Sequence, residues 1–302
     1  MIICENLRLS SAFICEKYNT MLKLIECPRD AIQGFHKPIS TAEKIAYLNL
    51  LLKVGFDTLD FGSFVSPKAI PQMADTKEVL AALDWKNSQT KLLAIVANQR
   101  GAEEACTHEG VKYLGYPFSI SETFQLRNTH KTIMESLILV REMQTLCEKA
   151  GKELVVYLSM GFGNPYGDAW SAEIAANRVQ EIADLGVKII SLADTVGSAE
   201  AQDISFLFEK LIPQFPEIEF GAHFHALPEA RKTKLTAAFD AGCRRFDAAM
   251  QGIGGCPFAK EELVGNIATE TLWEFAIENG EDLALDGALF GESSRFAAKL
   301  FL

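Results

Sequence analysis

Two histidines one residue apart, His223-Phe224-His225, stand at the end of the apolar run IEFGAHF (218–224). Side chains alternate faces along a strand, so positions i and i+2 project from the same side. Two of the chain's five His at one strand end therefore suit a single metal ion better than a pair of structural imidazoles. Pro28-Arg29-Asp30 follows a second such run, LKLIEC (22–27), and an Arg-Asp pair there is either a structural ion pair or a functional one. A third run, DTLDFG (57–62), carries Asp60 and leads into Ser63, and a buried carboxylate needs a cation or a water on a metal. Asp194 closes a fourth and either joins the same network or caps the next helix. Gln251-Gly252-Ile253-Gly254-Gly255-Cys256-Pro257 is glycine-rich, which lets backbone approach a ligand closely. It reads as a phosphate cradle lacking the usual GK[ST] ending, or as a loop that carries Cys256 over a site. Asn266, in GNIATE, offers an amide oxygen nearby. Without clustered cysteines a thiolate zinc site is disfavoured, and mixed N/O donors suit Mg, Mn or Zn.

These residues all follow apolar runs of strand length, and the runs recur. Candidate strands are 22–27, 57–62, 91–96, 111–116, 153–159, 187–193, 218–224 and 244–250. Helix-period segments lie between them at 41–55, 130–151, 171–186 and 227–242, each closing on Gly. Alternating strands and helices imply parallel strands joined by crossovers. Eight units without a clear linker predict an α/β fold, a TIM (β/α)8 barrel, with additional C-terminal helices from about 261. In that fold chemistry belongs at the C-terminal ends of the strands. Residues 21–302 read as one barrel domain, and 1–20 as an N-terminal extension, with Met21 as the expected natural start.

Of 302 residues, 48% are hydrophobic and 23% charged, which excludes a disordered or collagen-like chain. A net charge of -11 and no obvious basic face argue against nucleic acid as a partner. The seven cysteines are an odd number without a CxxC pair, which points to a reducing compartment. No apolar run approaches the length of a membrane span, roughly 18 residues. Residues 1–20 lack the apolar core of a signal peptide and the Arg- and Ser-rich pattern of a transit segment. A cytoplasmic enzyme, homodimeric through apolar faces outside the helices, is the expectation.

PRDAIQ (28–33), SFVSPKAIPQMADTKEVL (63–80), SETF with Asn128, ADTVG (193–197), HFH (223–225), GIGGCPFA (252–259) and GNIATE (265–270) together resemble the 3-hydroxy-3-methylglutaryl-CoA lyases of the DRE-TIM metallolyase superfamily. The resemblance extends over about 22–275, and the GGCP loop with SFVSPK is its most specific part. It implies that Asp30, His223, His225 and Asn266 ligate one Mg or Mn ion. It implies that Arg29 faces the acyl carbonyl and that Cys256 rides a loop closing over the substrate. Gln33, Lys37, Ser63, Asp194, Gly254 and Gly255 are the further substrate-binding candidates, and Asp60 joins the catalytic set. The family reaction cleaves the acyl-CoA to acetyl-CoA and acetoacetate, in leucine degradation and ketone-body formation.

That chemistry needs a base for a tertiary hydroxyl and a stabiliser for an enolate. Arg29 suits the enolate because it is always charged. Asp30 or a His could take the hydroxyl proton, and Cys256 or His223 could return one to carbon. The chain departs from the family pattern at several positions. Ala31-Ile32 replaces the usual Gly-Leu, Asp60 replaces Glu, and Ala226 replaces the carboxylate after the second His. His36 stands where a lysine is expected, beside Lys37, and KEELV is one residue longer. A related 3-hydroxyacyl-CoA would meet the same residues. A Claisen-type synthase would share the HxH pair but not the GGCP loop, and it usually carries a longer C-terminal region. A silent scaffold barrel would have no need of an intact Arg29, Asp30, His223, His225, Asn266 and Cys256.

Overall fold

The computed structural model describes residues 21–255 and 264–301. Eight strands, β1 (Lys23–Glu26), β2 (Thr58–Ser63), β3 (Lys91–Ile95), β4 (Val111–Ser119), β5 (Glu153–Ser159), β6 (Ile189–Asp194), β7 (Glu219–Phe224) and β8 (Arg245–Ala248), form a closed barrel in chain order. Every neighbouring pair is parallel, including β8 with β1. Such strands are covered on both faces, which is why they read as continuous apolar runs, and β2 and β6 are buried along their whole length. Each expected strand is present, with ends shifted by no more than three residues.

Helices cross over between the strands. α1 (Pro28–Gln33) and α2 (Thr41–Val54) follow β1, and α3 (Thr76–Ala81) follows β2. α4 (Gln99–Cys106) follows β3, and α5 (Glu122–Thr129) and α6 (Ile133–Ala150) follow β4. Then come α7 (Ala172–Ala183), α8 (Ala201–Gln214) and α9 (Pro228–Asp240), one after each strand. Beyond β8 lie α10 (Thr269–Glu278) and α11 (Gly287–Phe301), the expected C-terminal helices. Local signals set the boundaries: Ser40 and Glu43 form a capping box at the start of α2, and Gly55 ends it at φ 101°.

One local reading is corrected. The segment 130–151 is not one helix from its first residue. His130 ends α5 in a left-handed conformation, and Thr132 with Glu135 forms a capping box that starts α6. PRDAIQ, immediately after β1, is a short helix with Pro28 at its first position, where the missing N–H is not needed.

One buried acid on the outer face of the barrel carries the C-terminal segment. Glu26, fully buried at the end of β1, accepts from the Met250 amide at 3.0 Å and from the Thr269 hydroxyl at 2.5 Å. Burial pushes its pKa up to about 8, against the hydrogen bonds from Thr269 and Met250, with Glu270 adding to the rise. The folded protein thus holds this proton up to about pH 8, whereas an ordinary glutamate carboxyl loses it near 4.5. Glu26's contribution to stability is whole below the unfolded value and is lost as pH rises through the folded one. Glu26→Gln reproduces the donor and acceptor of the protonated acid. It is expected to flatten the stability profile across that window and to be the more stable protein at its alkaline end. Urea denaturation at a series of pH values checks this, and parallel profiles for the two proteins would contradict a buried neutral Glu26.

Candidate active site and metal centre

Four elements bring the site together at the C-terminal ends of β1, β2, β7 and β8. α1 turns immediately after β1, so Arg29 and Asp30 are both buried over the barrel mouth. Arg29 donates from Nε (2.9 Å) and Nη2 (2.6 Å) to Asp60 Oδ2, and from Nη1 to Asp30 Oδ1 (2.9 Å) and Gln33 Oε1 (3.1 Å). A guanidinium has five N–H donors, so these four bonds leave one. Asp30 spends its other oxygen on Asn266 Nδ2 (2.8 Å) and the Gly255 amide (3.3 Å).

Asn266 reaches Asp30 because 265–268 is held across the ends of β7 and β8 by two isolated bridges. His225 bridges Asn266, and Ala249 bridges Ala268. The Ala226 amide donates to Gly265 O (2.9 Å) and Ile267 N to Phe224 O (3.2 Å). Gly254 and Gly255 pack directly on this arrangement. A Cβ on Gly254 would lie 2.4 Å from Asn266 Nδ2 and 2.9 Å from Asp30 Oδ2, and its φ of 110° also favours glycine. The glycine run therefore closes on the carboxylate and the amide, which is not the geometry of an open phosphate cradle. Cys256, Lys260 and the rest of 256–263 lie outside the described residues.

The histidines share a face as the i, i+2 spacing requires, with ring centroids 5.3 Å apart. His223 is opposite Asp247 in the β7–β8 register, and its Nδ1 lies 3.0 Å from Asp247 Oδ2. His225 Nδ1 lies 2.9 Å from the Thr195 carbonyl, which can only accept, so this nitrogen carries the hydrogen and Nε2 the lone pair. That Nε2 is buried and has no partner among the described residues. Ligand atoms of Asp30, His223 and His225 all fall within 4.8 Å of one another. An orphaned imidazole lone pair beside a carboxylate and a second imidazole, each ring oriented through its other nitrogen, fits a divalent cation. Cys27, His223 and Asp247 also converge, with the Cys27 thiol donating to the Ile25 carbonyl and raised well above its usual range by burial and then by the Asp247 charge.

The electrostatics separate the two acids that Arg29 holds. Burial raises Asp30, but Arg29, then His223 and His225, and the Asn266 amide hold it well below the carboxylate range. Burial takes Asp60 up to about 6 against the pull of Arg29, and its Oδ1 is buried without a partner among the described residues. Burial lowers His225, and His223 adds to this. For His223 burial is outweighed by the Asp247 hydrogen bond and charge, so its pKa is raised.

Not every candidate reaches this group. Gln33 does, through Arg29. Ser63 is buried at the end of β2 with its hydroxyl on Ile95 O (3.2 Å). Lys37 is exposed beyond α1, beside the exposed His36. Asp194 is not brought to the histidine face, which corrects its reading as a substrate contact. It pairs with Phe224 while Ala193 pairs with His223, so alternation turns it outward. There Lys234 Nζ (2.5 Å) and the Ala199 amide (3.1 Å) take up Oδ2, and since Ala199 precedes Glu200, the N-cap of α8, Asp194 does not cap that helix either. The sequence reading missed Asp247. It stands in the candidate strand RRFDAAM, where a lone acid among apolar residues in the last strand was the available signal.

Comparison with known proteins agrees with this geometry. Residues 23–287 match the HMGL-like family model. Hydroxymethylglutaryl-CoA lyase of Bacillus subtilis is 32% identical over 81% of this chain and 81% of its own length. (R)-citramalyl-CoA lyase of Chloroflexus aurantiacus is 30% identical over 90% of this chain and 89% of its own. An HMG-CoA lyase of Acinetobacter baumannii, solved with coenzyme A and 3-methylmalate, superimposes with a TM-score of 0.86 at 31% identity, covering 93% of this chain and 91% of that one. The chain belongs to the HMGL-like family and is a carbon–carbon lyase on a (β/α)8 barrel.

Proposed function

We propose that the chain cleaves 3-hydroxy-3-methylglutaryl-CoA to acetyl-CoA and acetoacetate, as an enzyme of leucine degradation, with Mg or Mn held by Asp30, His223, His225 and the Asn266 amide oxygen. The observation that carries this reading is the His225 Nε2, without a partner among the described residues, beside Asp30 and His223, one residue from the spare N–H of Arg29. When bound, the cation supplies Lewis acidity toward the hydroxyl and carboxylate oxygens of the substrate. Arg29 turns its remaining N–H to the thioester oxygen and stabilises the enolate as charge develops there. Its other four bonds fix the guanidinium plane. Asp30, held far down, is a poor base. Asp60, at about 6 with Oδ1 free of partners among the described residues, is better matched to accept the hydroxyl proton. Gln33 positions Arg29, and Gly254 with Gly255 lets the backbone close over Asp30. Cys256 is the proposed carrier of the closing loop, with Cys256 or His223 returning a proton to carbon. Lys37 is a proposed contact to the coenzyme A portion and Ser63 a proposed substrate contact, and we place the enzyme in the cytoplasm as a homodimer. Among the described residues no helix is long and apolar enough to cross a membrane.

The similarity to (R)-citramalyl-CoA lyase over most of the chain favours, as a second reading, a thioester with a shorter acid arm. Acetyl-CoA release from both thioesters, with and without Mg or Mn, decides between them. Metal-dependent release from 3-hydroxy-3-methylglutaryl-CoA at the higher kcat/KM is expected. Release from neither by folded, metal-loaded protein would remove both assignments. With Asp60 as base, kcat/KM falls as pH drops through about 6, because protonation removes the acceptor. An acid limb that persists unchanged in Asp60→Asn would remove Asp60 from that role.

A further inference from the structure

A lysine ammonium has three N–H donors and no acceptor, so a buried one needs three acceptors around it. Lys234, in the second half of α9, is buried and finds all three. Its Nζ donates to Asp194 Oδ2 (2.5 Å), Gly197 O (2.9 Å) and His225 O (3.1 Å). The first two acceptors are the ends of the turn Asp194-Thr195-Val196-Gly197, which follows β6 and is closed by the Gly197 amide on Asp194 O (3.2 Å). The third is the backbone of His225, whose amide also reaches Asp194 O at 3.4 Å. Between the two held ends stands Thr195, whose carbonyl receives the His225 Nδ1 hydrogen at 2.9 Å. The Thr195 hydroxyl oxygen accepts from the Met160 amide at 2.8 Å, which ties the turn to the end of β5. Met160 is buried there at φ 56°, a conformation that a non-glycine residue keeps only where its surroundings fix it. Gly197, at φ 75°, packs so closely that a Cβ would stand 3.2 Å from His225 O.

We infer that Lys234 is a positioning residue for His225, setting the angle and the tautomer of its imidazole. The inference rests on the reading of His225 as a metal ligand. An imidazole turns about the bonds that join it to its backbone, and the Nδ1 hydrogen bond stops that rotation at one angle. The angle depends on where the Thr195 carbonyl stands relative to the His225 backbone. Lys234 fixes that relation, because one nitrogen holds the turn and the His225 carbonyl together. With the Nδ1 hydrogen committed to Thr195, the lone pair is on Nε2, beside Asp30 and His223. Asp194 points away from the histidine face, so the ammonium acts through backbone and not by contact with substrate. The Asp194 carboxylate also neutralises it, so the clamp brings no net charge toward a divalent cation.

Lys234→Met alone would leave Asp194 as a buried unpaired charge, so the test combines it with Asp194→Asn. Long-range proton–nitrogen correlation spectra of the metal-free full chain read the tautomer of each of its five His, with His225→Ala identifying the signals. The parent should show His225 fixed with its hydrogen on Nδ1. The folded double variant should show the two tautomers averaged. Its Mn affinity, read from the free-ion paramagnetic resonance signal, should fall about tenfold. A merely structural role would lower the melting temperature and move neither reading. Either a retained Nδ1–H signal or an Mn affinity within about twofold of the parent, in a folded double variant, overturns the inference. A metal-free parent in which His225 already averages its tautomers, or carries its hydrogen on Nε2, overturns it without any variant. A parent that binds no Mn strikes the metal reading instead, and the tautomer comparison then decides on Lys234 by itself.

Discussion

Arg29→Gln is expected to lower kcat for thioester cleavage by about 10²- to 10³-fold, the loss typical of one preorganised donor to a developing oxyanion. Arg29 differs from a surface arginine because four of its N–H groups already hold Asp60, Asp30 and Gln33. The guanidinium is therefore fixed before substrate arrives, and glutamine cannot supply its charge or span its partners. Removal also leaves Asp30 and Asp60 buried without their cation, which costs about 3–5 kcal/mol of stability. Arg29→Lys keeps the charge on a single point that cannot serve two carboxylates and a substrate together. It should recover stability more than kcat. Steady-state kinetics with denaturation on the same preparations separates the two effects. A folded Arg29→Gln protein with kcat within about threefold of the parent would exclude Arg29 from the enolate side.

His225→Ala tests the metal centre with little disturbance to the fold. The ring makes one hydrogen bond to the described residues, to Thr195 O, worth about 1 kcal/mol, and its Nε2 has no partner to lose. Mn affinity should fall by more than the 10- to 100-fold expected for Asp247→Asn, which disturbs only the orientation of His223. In thermal denaturation the metal-free parent and His225→Ala should melt near one another. Only the parent should gain stability as Mn is added, because a ligand stabilises the state that binds it. Unchanged Mn binding in His225→Ala would remove the histidine pair as ligands and leave the orphaned nitrogen without an explanation.

The barrel was legible because its strands are buried on both faces and its helices announce their ends. Runs such as KLLAI and ELVVYLS need no tertiary information to be recognised, and Gly55 and Gly151 end helices by conformations any sequence reader expects. The short helix at PRDAIQ was less legible, since six residues carry no periodicity, and only packing over the mouth selects the helical turn. Asp194 was misread because one residue of register reverses the face a side chain takes, and the strand's end cannot be located that finely from composition.

The sequence by itself determined the chemical inventory: an Arg-Asp pair, two histidines held to one face by spacing, an asparagine and a glycine run, distributed over a (β/α)8 chain. Alternation along a strand is a local property, so the two histidines could be placed together without any structure. The tertiary structure decided what surrounds them. It set Asp247 opposite His223, left His225 Nε2 without a partner among the described residues, and divided Asp30 from Asp60 in acidity. Each of these depends on burial or on contact between residues far apart in the chain. Neither is encoded in the spacing of a single segment.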